Sequence, residues 1–351
     1  ELIIKNSGTK QKTIVIGMYG EGSKPMLNGC GEVMSTVLLC DVSYVTVRNL
    51  DLTNYRSSVS DFRTCISTVS RKKTVKGIKI QNNYVHSANG LFSCPGGSAN
   101  FYTFGAISIK DEKSTVWNGE DINFQDITIE NNRVERVNGN GITAYGGARN
   151  LNVKNNIVNN VRGDGIILAQ CYDSVAEYNV VYSSGWGGSG RPHVNIWCYN
   201  AKNTVLQYNE SYDCQSTGGD GQGFHIDDAC TDCPVQYNYS HDNAGGFFIG
   251  CAYYNEYYGS VVRYNISQSD KRQLLFLTCP SKETLNYDPQ KLMYDIYNNT
   301  FYTSYPIEHI IYNDLYEPGY TDYGKIRNNI FYVAGSPDAD WGESDAAFSF
   351  S

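Results

Sequence analysis

An asparagine that recurs after a short run of β-branched residues limits the possible folds of this chain more than any other feature. Ten such asparagines occur, and consecutive ones lie 23 to 49 residues apart. A period of about 20–35 residues is typical of a solenoid of stacked coils. Units this short leave no room for a crossover helix beside two strands, which argues against a doubly wound sheet. The ten anchors are Asn49, Asn83, Asn132, Asn156, Asn179, Asn209, Asn238, Asn265, Asn299 and Asn329.

A second strand follows each turn after a glycine, as in Gly141-Ile-Thr-Ala and Gly246-Phe-Phe-Ile. Asn suits the turn because it tolerates the left-handed conformation and its amide can bond to the neighbouring coils. The pattern predicts an all-β parallel solenoid of about ten or more coils, as a single domain over residues 1–351. We expect insertions near residues 87–119 and 183–193. The longest interval, between Asn83 and Asn132, is either two coils or one coil with an insertion.

Charge and hydropathy exclude several partners. The 351 residues contain 28 Lys+Arg and 36 Asp+Glu, a net charge of −8, without a basic run. Nucleic acid is therefore not an expected partner. No stretch of about 18 apolar residues occurs, so we expect no membrane span. From the start at Glu1 and the apolar end at Ser351, we expect a processed polypeptide that continues, with a further domain or chain capping the last coil.

Eleven cysteines leave three interpretations open: buried thiols, a few disulfides, or a metal site. The one Cys-x-x-Cys, Cys230 to Cys233, has no second pair that would complete a zinc pattern. A column of tyrosines just before the repeated asparagine is interpreted as a structural stack. It comprises Tyr178, Tyr208, Tyr237 and Tyr264.

The coil pattern resembles the right-handed parallel β-helix of the pectate-lyase-like superfamily of carbohydrate-active proteins, over about residues 10–335. Tyr19–Pro25 is similar to the segment that leads into the first full coils, and Gln236–Phe247 resembles coils of glycan-degrading β-helix proteins. The resemblance implies a right-handed helix, a glycan ligand, and an extracellular or cell-surface location. It does not select the reaction, because this scaffold also carries lyases, epimerases and adhesins.

Candidate catalytic groups cluster in Gly218–Asp228. Alternation along this strand predicts Phe224 and Ile226 facing inward, beside Phe247 and Ile249 of the next coil. His225 and Asp227 then face outward, about 6.6 Å apart. Two carboxylates near an imidazole are the groups that glycoside hydrolysis needs.

Asp220, Asp227 and Asp228 are the candidate catalytic residues. The spacing of Asp220 and Asp227 resembles that of the catalytic aspartates in the glycoside hydrolase branch that includes the lacto-N-biosidases. The resemblance implies Asp220 as acid/base and Asp227 as nucleophile of a retaining mechanism. The alternative is that these aspartates only cap turns.

The segment Ser183–Trp197, which begins with a glycine-rich stretch, precedes this strand and is a candidate wall of a sugar-binding groove. Sugars stack on aromatic rings and hydrogen-bond to polar side chains, and the segment offers both. An alternative interpretation places the Trp197 side chain in the core instead of the groove wall. The predicted substrate-binding residues are Trp186, Arg191, His193, Asn195, Trp197, His225 and Tyr145.

Asp213 and Asp242 occupy the same phase of successive coils. Like charges at about 4.8 Å repel, so one of them should be protonated, paired or bound to a cation. This makes them a candidate calcium site, an alternative acid pair, or a pair neutralised by neighbours such as His241. We expect no required cofactor, with Ca²⁺ as the possible ion.

Three functions fit these patterns. The first is a secreted glycoside hydrolase with an aspartate pair on adjacent coils. The second is a polysaccharide lyase acting on a uronate, with Arg162 or Arg191 as base; it ranks lower because no Lys/Arg ladder accompanies the carboxylates. The third is a non-catalytic carbohydrate-binding or adhesive solenoid. P-loop, serine-hydrolase and zinc-protease motifs do not occur.

Overall fold

The computed structural model describes residues 1–59, 61–91, 102–112, 121–187, 192–252, 257–279, 292–315, 324–335 and 348–350, with the main chain alone at 279, 313–315 and 348–350. The chain divides into two compact units, residues 1–181 and 182–351. Regular structure in the described ranges is entirely β-strand, and they contain no helix long and apolar enough to cross a membrane.

The first unit is wound so that each coil contributes strands to three strips, called A, B and C. Strip A contains β1 (Leu2–Ile4), β4 (Ser35–Cys40), β7 (Thr64–Ser70), β11 (Gly105–Asp111) and β16 (Ile166–Tyr172). Strip B contains β2 (Ile14–Gly17), β5 (Val45–Arg48), β8 (Val75–Lys76), β9 (Lys79–Gln81), β12 (Phe124–Glu130) and β17 (Val175–Glu177). Strip C contains β3 (Met26–Asn28), β6 (Asp51–Asn54), β10 (Tyr84–Ala88), β13 (Arg133–Val137) and β15 (Ile157–Val161). The long β14 (Asn140–Lys154) passes through strips A and B, and β18 (Val180–Ser184) includes the unit boundary.

The second unit repeats this three-strip arrangement. Strip A contains β19 (Ile196–Tyr199), β22 (Gln222–Ile226), β25 (Gly246–Gly250), β28 (Arg272–Cys279) and β31 (Ile307–Leu315). Strip B contains β20 (Val205–Gln207), β23 (Val235–Gln236), β26 (Ser260–Arg263), β29 (Tyr294–Tyr297), β32 (Gly324–Arg327) and β34 (Phe348–Phe350). Strip C contains β21 (Glu210–Tyr212), β24 (Tyr239–His241), β27 (Ile266–Gln268), β30 (Thr300–Thr303) and β33 (Ile330–Val333).

Neighbouring strands within a strip are parallel in both units. Counting one strip C strand per coil, with β18 included, gives eleven coils among the described residues. The predicted right-handed parallel β-helix is confirmed. Aliphatic residues that are fully buried stack in register through the core of the first unit, at Ile66, Ile107, Ile142 and Ile166.

The long interval in the repeat is a single coil. The main-chain N–H of Asn83 donates directly to Oδ1 of Asn132 at 3.0 Å, so no further coil lies between them. Strand β11 lies inside the predicted insertion 87–119 and belongs to strip A. That insertion therefore interrupts a coil without replacing its regular strand.

Buried asparagine amides join the coils at the corner between strips B and C. Asn238 shows the pattern: its main-chain N–H and its Nδ2 both donate to Oδ1 of Asn265, at 2.9 and 3.0 Å. Its Nδ2 also donates to the carbonyl of Leu206, and its own Oδ1 accepts the equivalent pair from Asn209. Each amide is thus fully hydrogen-bonded in the core, where an unpaired polar group would be costly.

The left-handed residue at this corner is not the one expected. Before nine of the ten repeated asparagines, positive φ belongs to the preceding residue, for example Asn82 (54°) and Tyr237 (56°). The exception is Asn49, which itself has positive φ (55°), and Leu50 after it donates to Asn83 of the ladder. The ladder asparagine is instead the buried amide. At three such positions the rings of Tyr208, Tyr237 and Tyr264 stack with centroids 5.1 Å apart, which confirms that part of the predicted tyrosine stack. Their ring faces cover one another, which leaves mainly edges for a ligand.

A second ladder, at the corner between strips C and A of the second unit, ends in a carboxylate. Oδ1 of Asp270 accepts from the main-chain N and Nδ2 of Asn243, and Oδ2 accepts from Ser240 and Ser267 at 2.7 Å. Asp270 is completely buried. Burial raises its pKa above the usual aspartate value, although the four donors oppose that change.

We expect Asn238→Ala to destabilise the second unit by about 2 kcal/mol or more, because it leaves buried donors and a carbonyl unpaired. Urea unfolding measures the change. The matched control is Asn152→Ala: this half-buried asparagine lies outside the ladder and should change stability by less than about 0.5 kcal/mol. Equal losses in both variants would show that the ladder contributes no special stability.

The raised pKa of Asp270 has a defined effect on stability. Between the usual aspartate value and the raised one, the folded chain holds a proton that the unfolded chain has released. The free energy of unfolding therefore falls as pH rises through that interval. Asp270→Asn removes this dependence, so the stability difference between the two proteins should change across it. Urea titrations at several pH values measure this, and a difference independent of pH would contradict it.

Candidate active site

The candidate site is built on β22, the second of the five strands of strip A in the second unit. Trp197 and Ile249 flank His225 in register on the two neighbouring strands, and Phe276 follows on β28. Phe224 and Ile226 are fully buried on the inward face, as the alternation predicted. Trp197, His225 and Ile249 of this outward column are themselves buried, so the partly exposed groups lie at the end of the strand.

The predicted partners of the inward residues are wrong by one position. Phe224 pairs with Phe248 and Ile226 with Gly250, whereas Ile249 lies beside His225. The error comes from aligning Gly223 with Gly246. Gly246 instead pairs with Gln222, at a positive φ of 125° that favours glycine. A slip of one residue in a strand exchanges its two faces.

His225 is a neutral side chain in this column. It is 6% exposed, and its ring lies against the indole of Trp197 with centroids 5.9 Å apart. Burial lowers the pKa of His225 to about 3. Its Nε2 is 3.7 Å from Oδ1 of Asp227, beyond hydrogen-bond distance. Because the ring carries no charge near neutral pH, it does not neutralise Asp227.

Asp227 follows directly after β22 and is the more accessible carboxylate at this end of the strand. Its side chain is 27% exposed, and Oδ1 accepts the main-chain N–H of Asp228 at 2.7 Å. Asp228 itself is buried, and its carbonyl accepts from the main chain of Asn200. Main-chain bonds between Asp227 and Cys198, and between Cys251 and Ile226, continue the parallel ladder past β22.

The sequence reasoning missed Cys251. A side-chain ligand atom of Cys251, of His225 and of Asp227 all lie within 4.8 Å of one another. Cys251 comes from the next coil, immediately after β25, so only correct register would have placed it here. The cluster combines a thiol, an imidazole and a carboxylate at the partly open end of strip A.

Asp220 lies at the opposite end of β22. It precedes the strand by two residues, while Asp227 follows it, and the five-residue strand between them spans about 13 Å. Carboxyl groups of retaining glycosidases lie about 5–5.5 Å apart and those of inverting ones about 6.5–9.5 Å. The pairing of Asp220 with Asp227 stays a prediction, and Asp228 is the acidic neighbour at the same end of the strand.

Most of the expected groove wall is covered. Asn195 is completely buried, and its Nδ2 donates to Ser211, to the carbonyl of Tyr212 and to Asn243, so it belongs to the second ladder. His193 is also buried. The expectation that these two side chains line a groove is not met.

Two aromatic candidates differ in exposure. Trp197 faces outward but is 6% exposed, whereas Trp186 is 44% exposed and keeps the surface that a sugar ring would need. Tyr145 lies in β14 of the first unit, where burial covers its ring and raises its pKa to about 12. Arg191 lies outside the described residues.

Asp213 and Asp242 are corner residues with positive φ. Oδ2 of Asp213 accepts from Ser183 at 2.7 Å and from Gln215 at 2.9 Å. Oδ2 of Asp242 lies 2.8 Å from Nδ1 of His241. These contacts correspond to the alternative in which neighbours satisfy the two carboxylates, and calcium binding here stays a prediction.

No protein-family model matches the chain. Over 340 aligned residues it is 28% identical to a lacto-N-biosidase of Bifidobacterium longum subsp. longum, an alignment that covers 78% of this chain and 20% of the relative. The chain therefore spans about one fifth of the length of that relative.

Solved structures share the fold. A lacto-N-biosidase of glycoside hydrolase family 136 from Eubacterium ramulus superposes with a TM-score of 0.71 and 22% identity, covering 95% of this chain and 60% of the other. A mannuronan C-5 epimerase module of Azotobacter vinelandii gives a TM-score of 0.50 at 13% identity, covering 90% of each chain. The chain is thus similar in sequence to a lacto-N-biosidase and has the β-helix fold of a solved one.

Proposed function

We propose that this protein is a glycoside hydrolase that cleaves an oligosaccharide. The observation that carries the proposal is the sequence similarity to a lacto-N-biosidase across 78% of the chain. Fold alone would not select hydrolysis, because an epimerase module shares the β-helix. The partly exposed carboxylate of Asp227 supplies a group that such a reaction requires.

In this proposal Asp227 is the nucleophile. It is more exposed than Asp228, it stays accessible at the end of strip A, and a main-chain N–H orients its Oδ1. The neutral His225 beside it adds no positive charge that would reduce the nucleophilicity of the carboxylate. The acid that protonates the leaving oxygen is one of two aspartates: Asp220, which the aspartate spacing implies, or Asp228, which lies at the same end of β22 as Asp227.

The substrate class follows from the name of the relative, which hydrolyses lacto-N-biosides. We therefore take a lacto-N-bioside as the first substrate. The exposed Trp186 is the candidate platform for a sugar ring. The expected extracellular or cell-surface location is part of the proposal.

The test compares a natural oligosaccharide lacto-N-bioside with its 4-nitrophenyl counterpart. Wild-type protein should release new reducing ends from the first and nitrophenol from the second, without the ultraviolet absorbance of an unsaturated uronate. Asp227→Asn should lose activity on both substrates by at least about 10³-fold, because no nucleophile remains. The acid variant should lose about 10²–10⁴-fold on the natural substrate, whereas it should still release about one equivalent of nitrophenol per chain rapidly, since nitrophenol leaves without a proton. Later turnovers of the nitrophenyl substrate should be slow, because the same residue acts as base when water hydrolyses the glycosyl-enzyme.

Asp220→Asn and Asp228→Asn, assayed side by side, show which residue is the acid. Asp173→Asn is the matched control, because Asp173 is an exposed turn residue beside Arg149 in the first unit. The activity of Asp173→Asn should stay within about twofold of the wild-type activity. Absorbance of an unsaturated product would make the protein a lyase. Full activity of folded Asp227→Asn would place the nucleophile elsewhere, and no turnover of any glycan by wild type would leave a binding function.

The neutral state of His225 gives an independent prediction. Because burial holds its pKa at about 3, its imidazole resonances should not titrate between about pH 5 and pH 8 in nuclear magnetic resonance spectra. His225→Gln assigns the signal by its loss. A midpoint near the ordinary value of about 6.5 would show that the ring is solvated. In that case its charge would contribute to the pH profile of the reaction.

A further inference from the structure

Three cysteine sulfurs converge inside the second unit, away from the face that carries Asp227. Cys198 is the third residue of β19, and Cys230 and Cys233 lie in the turn after β22. The Sγ atoms of Cys198 and Cys230 are 3.8 Å apart, and all three sulfurs lie within 4.8 Å of one another. Each side chain is at most 1% exposed. Two successive coils therefore bring three thiols to one closed point of the core.

The stacking of coils brings a third cysteine sulfur to the Cys-x-x-Cys pair, although no such cysteine is near the pair in sequence. Cys230 and Cys233 form a Cys-x-x-Cys pair without a second pair in sequence. Strand β19 runs beside β22, which places Cys198 in register with Ile226, four residues before Cys230. A third sulfur thus comes from 32 residues upstream, a distance at which no linear zinc pattern would include it.

Other buried cysteines of the described chain do not form such a group of sulfurs, although Cys233 shares with them contacts to main-chain carbonyls, those of Thr231 at 3.3 Å and of Ala201 at 3.5 Å. The sulfur of Cys65 lies 3.5 Å from the carbonyl of Leu52, and the sulfurs of Cys171 and Cys214 lie 3.6 Å from main-chain carbonyls. Such contacts are ordinary for a thiol that acts as a small hydrophobe and weak donor. Within the described ranges, no other three sulfurs lie as close together.

The spacing of the sulfurs matches a metal–thiolate centre. With a zinc–sulfur bond of about 2.3 Å, the edge between two sulfurs of a tetrahedral site is about 3.8 Å. The distance between Cys198 and Cys230 has this value. Sulfur ligands select soft cations, whereas Ca²⁺ and Mg²⁺ take oxygen ligands.

Main-chain hydrogen bonds from Ala201 to Cys230 and from Thr204 to Cys233 stabilise sulfur in its ionised form. An isolated thiolate in the core is nevertheless costly, because burial disfavours an unpaired charge. A divalent cation removes that cost, since three thiolates around it leave a net charge of only −1.

We propose that Cys198, Cys230 and Cys233 bind one soft divalent cation of the zinc type, as a structural site that is separate from the proposed glycosidase centre. Binding replaces the three S–H protons with the cation and joins two coils within strip A and its following turn. The site needs no oxidant, and the sulfurs remain thiolates.

The test uses Cd²⁺ as the probe on the full chain, kept reduced and first stripped of metal. Absorbance from charge transfer between thiolate and cadmium should rise to an end point at one equivalent per chain. The midpoint of thermal unfolding should rise with it, because the ion binds the folded state. The wild-type protein purified without added metal should contain about one zinc ion by mass spectrometry.

Two variants and a control locate the site. Cys198→Ser and Cys230→Ser should lower the affinity for Cd²⁺ at least tenfold, whereas Cys214→Ser, a buried cysteine outside the group, should bind as wild type does. The wild-type titration stands on its own if a variant fails to fold. Folded, reduced wild-type protein that takes up no Cd²⁺ would overturn the proposal. A stable disulfide within the group by intact mass, or equal loss in Cys214→Ser, would also overturn it.

Discussion

A carboxamide oxygen that accepts both the main-chain N–H and the side-chain Nδ2 of the preceding coil fixes the stacking of each unit. Asn238 and Asn265 show this interaction most completely. Strips B and C meet at this corner, so the ladder sets where every following strand begins. A one-residue slip would leave buried amides unpaired as well as reverse the faces of the strands. The second ladder can end in Asp270, because a carboxylate only accepts hydrogen bonds and needs no partner for a donor.

With the inward face used by the core and the corners by amides, the outward face of strip A is left for chemistry. In the second unit that face is largely apolar and aromatic around His225, with Trp197 on one side and Ile249 on the other. The partly exposed charge lies at its end, on Asp227. A neutral imidazole beside this carboxylate adds no positive charge that would reduce its nucleophilicity.

The period of the sequence was sufficient for the fold because every coil repeats the same short strands and the same buried asparagine. Details that depend on turn length were not predictable. The register of β25 was missed because Gly245 and Gly246 lengthen the turn before it. Strand β19 was not predicted, because it directly follows a glycine-rich stretch that was interpreted as part of an insertion. Asn195 was assigned to a groove because polarity does not show whether an amide faces water or bonds to the next coil. Contacts between coils, such as those of Cys251 and Cys198, need a register that only the structure provides.

The same residue types therefore serve structure and chemistry in this fold, and burial together with hydrogen-bond supply separates the two uses. Asp270 is completely buried and receives four donors, which is the environment of a ladder residue. Asp227 keeps about a quarter of its side chain exposed, on the outward face of the strand. The cysteines divide in the same way, since Cys65 contacts a carbonyl while Cys198 and Cys230 contact each other. In a solenoid, Asn, Asp, Ser and Cys side chains also form the buried contacts between coils. An outward-facing side chain with a solvent-accessible atom is therefore stronger evidence for function than residue type alone.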